Sequence, residues 1–176
     1  MISNFNIIRR KGVDPVSRTM DSVAERGCAY SQDPDDLKKA IKATDTGVFL
    51  GFGLQEVTEE GPGLREDIFM IGGSDTGLQN PVKAGYNVAI EDVQIAELEG
   101  EDLLTTKSSD ASGIRITNTT AVGTEMTAHS GRIGLAQTGD TVLFRLIANS
   151  GLSGSTLKAL NGGIRIQVQR VHGYKK

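Results

Sequence analysis

The sequence lacks tryptophan altogether, and aromatic residues make up only 5% of its 176 positions. Large side chains for filling a core are therefore few, and we expect a lean core. The single cysteine, Cys28, cannot form an internal disulfide. No apolar run approaches the roughly 20 residues that a membrane-spanning helix needs, so we do not expect an integral membrane protein. With no signal segment at its start, the sequence favours synthesis in a reducing cytoplasm.

Side chains that carry catalysis are equally scarce, because the chain has only two histidines, His129 and His172. His129 precedes Ser130 in a glycine-flanked turn, but no GxSxG elbow surrounds this pair, and a nucleophile needs an oriented base beside it. Cys28 has no CxxC partner, and the histidines lack the HExxH spacing of zinc enzymes. The acidic run at residues 91–102 lacks the spacing of a calcium loop. We therefore predict no catalytic residue, no metal site and no cofactor.

Glycine is abundant instead, and the 22 glycines separate short runs in which apolar and polar residues alternate. Alternation with a period of two is typical of β-strands, and frequent turns are typical of small sandwiches and barrels. We therefore predict a mainly β body over residues 46–176, built as a small β-barrel or β-sandwich. Its predicted strands are 48–57, 68–71, 86–90, 93–98, 103–106, 113–117, 132–136, 141–148 and 163–171.

Two of these strands carry specific predictions about burial. In the closing strand, Ile164, Ile166 and Val168 alternate with polar residues, so one face should pack on a core. The strand at 141–148 has apolar residues on both of its faces. We expect that strand to lie in the middle of a sheet, or to be covered on both sides.

The first 45 residues lack this alternation and are predicted to form an extended N-terminal arm outside the body. Gly12 and Pro15 interrupt any helix or central strand near its start. One short helix is predicted within the arm, over about residues 34–43. Pro34 suits the first position of a helix, and the aspartates around it suit the positive end of the helix dipole.

Charge is divided unevenly along the chain, whose overall net charge is −3. Residues 1–20 have a net charge of +3 and residues 141–176 have +6, which leaves −12 for the residues between them. The basic ends can therefore meet an acidic surface, either on another copy of the chain or on a different protein. The alternative is an ordinary solvated surface of mixed charge.

A succession of turn-and-strand phrases runs through the body: PVKAGYNVAI, ELEGEDLLTT, SSDASGIRITN, AVGTEMTA, GRIGLAQTGDTVLFRLI and the closing GGIRIQVQRV. In these phrases residues 47–171 resemble the capsid decoration, or cement, proteins of tailed bacteriophages. The resemblance implies a β-domain on the outside of the capsid that ties neighbouring capsomers together and has no catalytic residues. It also implies the major capsid protein as partner, self-association as a dimer or trimer, synthesis in the host cytoplasm and a final location on the virion.

The arm is expected to supply the contacts with this capsid partner. Its apolar residues would act as anchors, and its basic residues would steer the encounter. These candidate partner-binding residues are Phe5, Ile7 and Ile8 as anchors, with Arg9, Arg10, Lys11 and Arg18 as steering charges. The alternative for this segment is a disordered basic tail.

Two other function classes stay open on the sequence alone. A trimeric β-barrel nucleotide hydrolase has a similar texture, and the phrase HSGRIGLA resembles a strand of such enzymes, although no activating Asp or phosphate-binding Ser motif can be placed. The second class is a virion-surface module that binds glycans or receptors. Three Tyr, five Phe and no Trp supply few aromatic surfaces on which a sugar ring could stack. Nucleic-acid binding is not expected, because no reader motif accompanies the basic residues and the total charge is negative.

Overall fold

The computed structural model describes residues 4–12, 14–59, 81–150 and 164–176. These residues form thirteen β-strands and no α-helix, which confirms the prediction of a mainly β protein. In chain order, the strands are β1 (Asn4–Arg10), β2 (Val16–Met20), β3 (Ala29–Gln32), β4 (Lys39–Lys42), β5 (Phe49–Gly53), β6 (Val57–Thr58), β7 (Val82–Lys83), β8 (Tyr86–Glu91), β9 (Val93–Glu99), β10 (Glu125–His129), β11 (Arg132–Leu135), β12 (Thr141–Asn149) and β13 (Arg165–Lys175).

Six strands form an antiparallel sheet in the order β1-β9-β13-β12-β10-β11. β12 lies inside this sheet, between β13 and β10, and side chains on both of its faces are buried, including Val142, Leu143 and Leu146. The predicted central strand is therefore confirmed. On β13, Ile166 and Val168 are also buried, as the alternation in the closing strand predicts.

Five other strands close into a small barrel in the order β2-β4-β3-β5-β8. The pairing of β2 with β4 is parallel, and the other four pairings are antiparallel. Closure leaves this sheet without a free edge. Its apolar interior contains Met20, Tyr30, Ala40, Val88 and Ile90. The sequence left barrel and sandwich open, and the structure contains a closed barrel joined to a larger open sheet.

Barrel and sheet share one hydrophobic core, in which four of the five phenylalanines meet. Phe52 on the barrel strand β5 has its ring centre 5.3 Å from that of Phe5 on β1 and 5.4 Å from that of Phe144 on β12. Phe49, also on β5, meets Phe52 at 5.7 Å and Phe144 at 5.2 Å, both edge to face. Such pairs contribute about 0.5–1.5 kcal/mol each beyond their buried area. This phenylalanine cluster ties the two sheets into one body.

Two glycines permit the close approaches that the shared core requires. At Gly51, φ is +153°, and a Cβ atom would lie 2.4 Å from the backbone carbonyl of Glu91. β5 can therefore cross the β8–β9 corner only without a side chain at this position. At Gly27, φ is +89°, and a Cβ atom would lie 2.5 Å from the Cβ atom of Phe5. Glycine here makes room for the Phe5 ring.

The predicted helix over residues 34–43 is wrong. A tight turn replaces its start, in which the Asp33 carboxylate accepts a hydrogen bond from the Asp35 backbone amide at 2.8 Å. The Asp36 carboxylate likewise accepts one from the Lys38 amide at 2.9 Å. Aspartate bonds the amide two residues ahead in turns as readily as at a helix N-terminus, so the signal was ambiguous. The rest of the segment forms β4, because pairing with β2 and β3 outweighs a weak helix propensity.

The predicted boundary at residue 45 is also corrected, because the first four strands belong to the body. β1 is hydrogen-bonded to β9, and its Phe5 is only 2% exposed. β2, β3 and β4 are three of the five barrel strands, and Met20 lies in the barrel interior. Alternation failed to reveal these strands because they are short and separated by glycine and proline. Deleting residues 1–20 would therefore remove β1 and β2 and destabilise the body, whereas deletion of a free arm would leave the body folded.

Three of the predicted strands are not among the strands that the structure describes. Residues 68–71 lie outside the described residues. Residues 103–106 and 113–117 do not form strands. They cover the outer edge of β11, where the backbone amides of Ile133 and Leu135 donate hydrogen bonds to carbonyls of these two segments, at 2.8 and 2.9 Å.

Replacing Phe52 by alanine should destabilise the protein by about 3–5 kcal/mol, because a buried ring in contact with both β1 and β12 is lost. Urea unfolding followed by circular dichroism measures the change. Tyr86→Ala is the control, since Tyr86 is 64% exposed and its loss should cost less than about 1 kcal/mol. Equal losses for the two variants would show that the phenylalanine cluster does not hold the core.

Candidate partner-binding surface

β1 lies at one edge of the six-stranded sheet, and it contains most of the predicted partner-binding residues. Within the described ranges it pairs with β9 alone, whereas the opposite edge strand, β11, is covered by the segments described above. An edge strand presents a row of backbone N–H and C=O groups with which another chain can pair. We call this strand and its outward side chains the β1 edge, and it is the candidate partner-binding surface.

Two of the three predicted anchors point away from any partner. Phe5 is buried beneath Phe52, and Ile7 packs partly buried against the same core. Both side chains hold β1 in the sheet, and Phe5 is too deeply buried to contact another protein while the sheet is intact. Ile8 is different, because 47% of it is exposed.

A bulge in β1 explains the exposure of Ile8. Ile7 pairs with Ala96 of β9. Arg9 pairs with Ile95, the neighbouring residue of β9, so Ile8 is an extra residue without a counterpart. Bulges re-aim side chains and commonly protect sheet edges from unwanted pairing. Here the bulge displays Ile8 beside Arg9 on the edge.

Two of the predicted steering charges are paired within the chain. Arg10 forms an ion pair with Glu91, whose side chain is only 2% exposed. Lys11 forms one with Asp92, with 2.8 Å between Nζ and Oδ2. Arg9 is exposed and forms no ion pair with the described part of the chain. Of this basic run, Arg9 is therefore the residue available for steering.

Arg18 lies apart from the β1 edge, on the barrel strand β2. Its guanidinium donates a hydrogen bond to the Ser17 carbonyl at 2.8 Å and another to the Gln32 side chain at 3.4 Å. The structure therefore does not bring Arg18 together with the other predicted partner-binding residues.

The two basic ends of the chain meet on either side of one acidic segment. β9 lies between β1 and β13, and Glu99 accepts two hydrogen bonds from Arg165 of β13, at 2.7 and 2.9 Å. At the other end of β9, Arg170 bonds Asp92 at 3.2 Å. Arg10 and Lys11, at the end of β1, form their ion pairs with Glu91 and Asp92 of the same acidic segment from the opposite side. Much of the uneven charge along the sequence is therefore neutralised within one molecule.

The residues weighed for catalysis occupy structural positions. Nε2 of His129 lies 2.9 Å from the Leu135 carbonyl oxygen, across the β10–β11 hairpin. Cys28 is buried, and desolvation raises the pKa of its thiol to about 12.

In the described ranges, no group of three His, Cys, Asp or Glu side chains is placed to hold a metal ion. No helix that could cross a membrane is found among them either.

Comparison with known proteins gives no counterpart: no family model, no curated protein and no solved structure matches this chain. Function therefore has to be inferred from the residues themselves.

The sequence pattern predicted the basic residues of the β1 edge but not their acidic partners Glu91 and Asp92, which lie 81 residues further along the chain. The two adjacent acids do match the adjacent bases Arg10 and Lys11, but only the β1–β9 register brings them together.

Replacing Arg10 by alanine should destabilise the protein by about 1–3 kcal/mol, because the buried Glu91 carboxylate loses its ionic partner. Arg9→Ala, one residue away, should change stability by less than about 0.5 kcal/mol, since Arg9 is exposed and forms no ion pair with any described residue. Urea unfolding at neutral pH compares the two variants. Similar losses would show that the ion pair with Glu91 does not fix the end of β1.

Cys28 should react with Ellman's reagent at pH 8 far more slowly in the folded protein than in concentrated guanidinium chloride. A thiol with a pKa of about 12 is a thiolate in only about 1 molecule in 10,000 at that pH, and the thiolate is the reactive form. In the unfolded control the pKa returns to about 8.5. Comparable rates in the two conditions would contradict the burial of Cys28.

Proposed function

We propose that this chain is a structural protein of a tailed-bacteriophage virion, which attaches to the outside of the capsid and bridges neighbouring subunits of the major capsid protein. The observation that carries the proposal is the β1 edge, an edge strand that pairs only with β9 among the described residues and displays Ile8 and Arg9. On the shell, copies of the chain self-associate as dimers or trimers.

The phrases that resemble cement proteins support this proposal, because most of them form strands of the body. PVKAGYNVAI contains β7 and β8, AVGTEMTA leads into β10, GRIGLAQTGDTVLFRLI contains β11 and most of β12, and the closing phrase leads into β13. SSDASGIRITN instead lies along β11. A compact β body of this kind suits a protein that must tie other subunits together without catalysis.

Attachment at the β1 edge would use strand addition. A strand of the partner pairs with the backbone of β1 before its bulge, at residues 4–7, where the register with β9 is regular. Main-chain hydrogen bonds there supply affinity without a deep pocket. Ile8 then buries its exposed side chain, and Arg9 attracts an acidic surface and speeds the encounter. Phe5 and Ile7 contribute indirectly, because they fix β1 against the core.

Modest contacts at each site suffice for this role. A protein that binds only the assembled shell stabilises that shell by mass action. When one copy bridges two subunits, the second contact forms at a high effective concentration, so two weak contacts together hold firmly. Contacts between copies on the shell likewise form at a high effective concentration, so weak self-association suffices there.

Arg9→Glu should slow attachment to capsid shells by at least about tenfold at low salt, because it reverses the exposed charge at the β1 edge. The difference should shrink in 1 M salt, where the Debye length falls to about 3 Å. Co-sedimentation with shells of the major capsid protein encoded in the same genome measures attachment over time. Lys83→Glu, an equally exposed reversal on β7, is the matched control.

Several outcomes would count against the proposal. Equal attachment rates for Arg9→Glu and Lys83→Glu would remove the β1 edge from the binding mechanism. Failure of the unaltered protein to bind shells would overturn the capsid function itself. Release of pyrophosphate from nucleoside triphosphates, or micromolar glycan binding, would favour the hydrolase or the glycan-binding module instead.

A further inference from the structure

A cleft of about 610 Å³ opens where β13 parts from β9, beside the end of β1. β9 and β13 are paired only as far as Ile95 and Gln169, and beyond this point the two strands separate. The cleft between them is lined by Lys11, Gln94, Arg170, Val171, His172 and Gly173. Its lining is polar and contains three side chains that can carry positive charge.

A bulge in β13 forms one wall of this cleft. The register of β12 against β13 jumps here, so residues 171–173 all face Leu143. The Leu143 carbonyl accepts a hydrogen bond from Nη1 of Arg170 at 3.0 Å, and the same guanidinium stacks over Phe49, 4.9 Å from the ring centre. Arg170 is therefore held in place by the core, which distinguishes it from a mobile surface arginine.

The held guanidinium keeps donors free toward the cleft. Nε of Arg170 donates to Asp92, and Nη1 donates to the carbonyls of Leu143 and Val171. Nη2 makes no hydrogen bond with any described residue. A guanidinium has five N–H donors, so the two on Nη2 stay available to solvent or to a bound group. Because Arg170 lines the cleft, a group bound there can accept from Nη2.

The charges around the cleft leave a surplus of one positive charge. Asp92 is shared by two cations, since Oδ1 accepts from Arg170 at 3.2 Å and Oδ2 accepts from Lys11 at 2.8 Å. Next to them, Arg10 and Glu91 neutralise each other. A single carboxylate therefore balances the two cations Arg170 and Lys11 in this cleft, and His172 and Gln94 add further hydrogen-bonding groups.

We propose that this cleft binds a carboxylate group, supplied by an Asp or Glu side chain of an interacting protein. The carboxylate would accept from Nη2 of Arg170 and from Nζ of Lys11, in the same way that Asp92 already does from the opposite side. A guanidinium N–H and an ammonium both form charge-assisted hydrogen bonds with a carboxylate, which are stronger than hydrogen bonds between neutral groups. One surplus charge also suits a singly charged group better than a phosphate. The ligand class follows from the cleft alone, and only its use in capsid attachment rests on the proposed function.

Titration of the ¹⁵N-labelled protein with a blocked triglutamate peptide at low salt tests this site. Backbone amide shifts should concentrate at Lys11, Gln94 and residues 171–173. Lys11→Gln should weaken binding by about fivefold to tenfold, because it removes one charge-assisted donor, and Lys11→Arg should restore most of it. Lys83→Gln removes an equal charge from β7, outside the cleft, and should bind the peptide as the unaltered protein does.

Shifts spread over all basic residues, or equal weakening by Lys11→Gln and Lys83→Gln, would overturn the site. Tighter binding of inorganic phosphate than of the peptide would overturn the carboxylate assignment. Peptide binding at the cleft together with no attachment to capsid shells would refute the proposed function and leave the carboxylate site standing. If the protein attaches to capsid shells but does not bind the peptide, the carboxylate site is refuted and the proposed function stands.

Discussion

Four phenylalanine rings from β1, β5 and β12 pack into one cluster, and the joining of barrel and sheet depends on this contact. β5 belongs to the barrel, yet its Phe49 and Phe52 reach across to Phe5 and Phe144 of the open sheet. Aliphatic side chains such as Leu54 and Leu98 complete the same core around the rings. Gly27 follows from the same constraint, because the Phe5 side chain lies too close to its backbone for any other residue.

The cluster also sets the conditions for the candidate surfaces. Once Phe5 is held in the core, β1 lies along β9, and its basic end is brought to Glu91 and Asp92. β13 approaches Asp92 from the other side through Arg170, and the bulge at residues 171–173 forms a wall of the cleft. The β1 edge and the cleft therefore lie near each other at one end of the sheet. An acidic partner strand on the β1 edge would be well placed to send a side chain into the cleft.

Local pattern was a sound guide where a strand is long and one of its faces is buried. The alternation of Ile166 and Val168 with polar neighbours predicted the core face of β13, and the apolar residues on both faces of β12 predicted its central place. Pattern was a poor guide at Pro34 and the aspartates around it, because the same residues start helices and make turns. It also failed for β1 and β2, whose antiparallel partners β9 and β8 lie about 70 to 95 residues further along the chain, and for the short strands β3 and β4.

The sequence by itself determined that this is a mainly β protein with a lean core, and it placed the basic residues Arg9, Arg10 and Lys11 in one run. It could not determine which of them stay out of ion pairs, because the tertiary structure leaves Arg9 in solvent, pairs Arg10 with the buried Glu91 and pairs Lys11 with the half-buried Asp92. Tertiary structure decided that Phe5 is a core residue, that Ile8 is exposed and that Arg10 belongs to Glu91. The physical reason is that burial and ion pairing depend on contacts between strands some 80 residues apart, which no local pattern records.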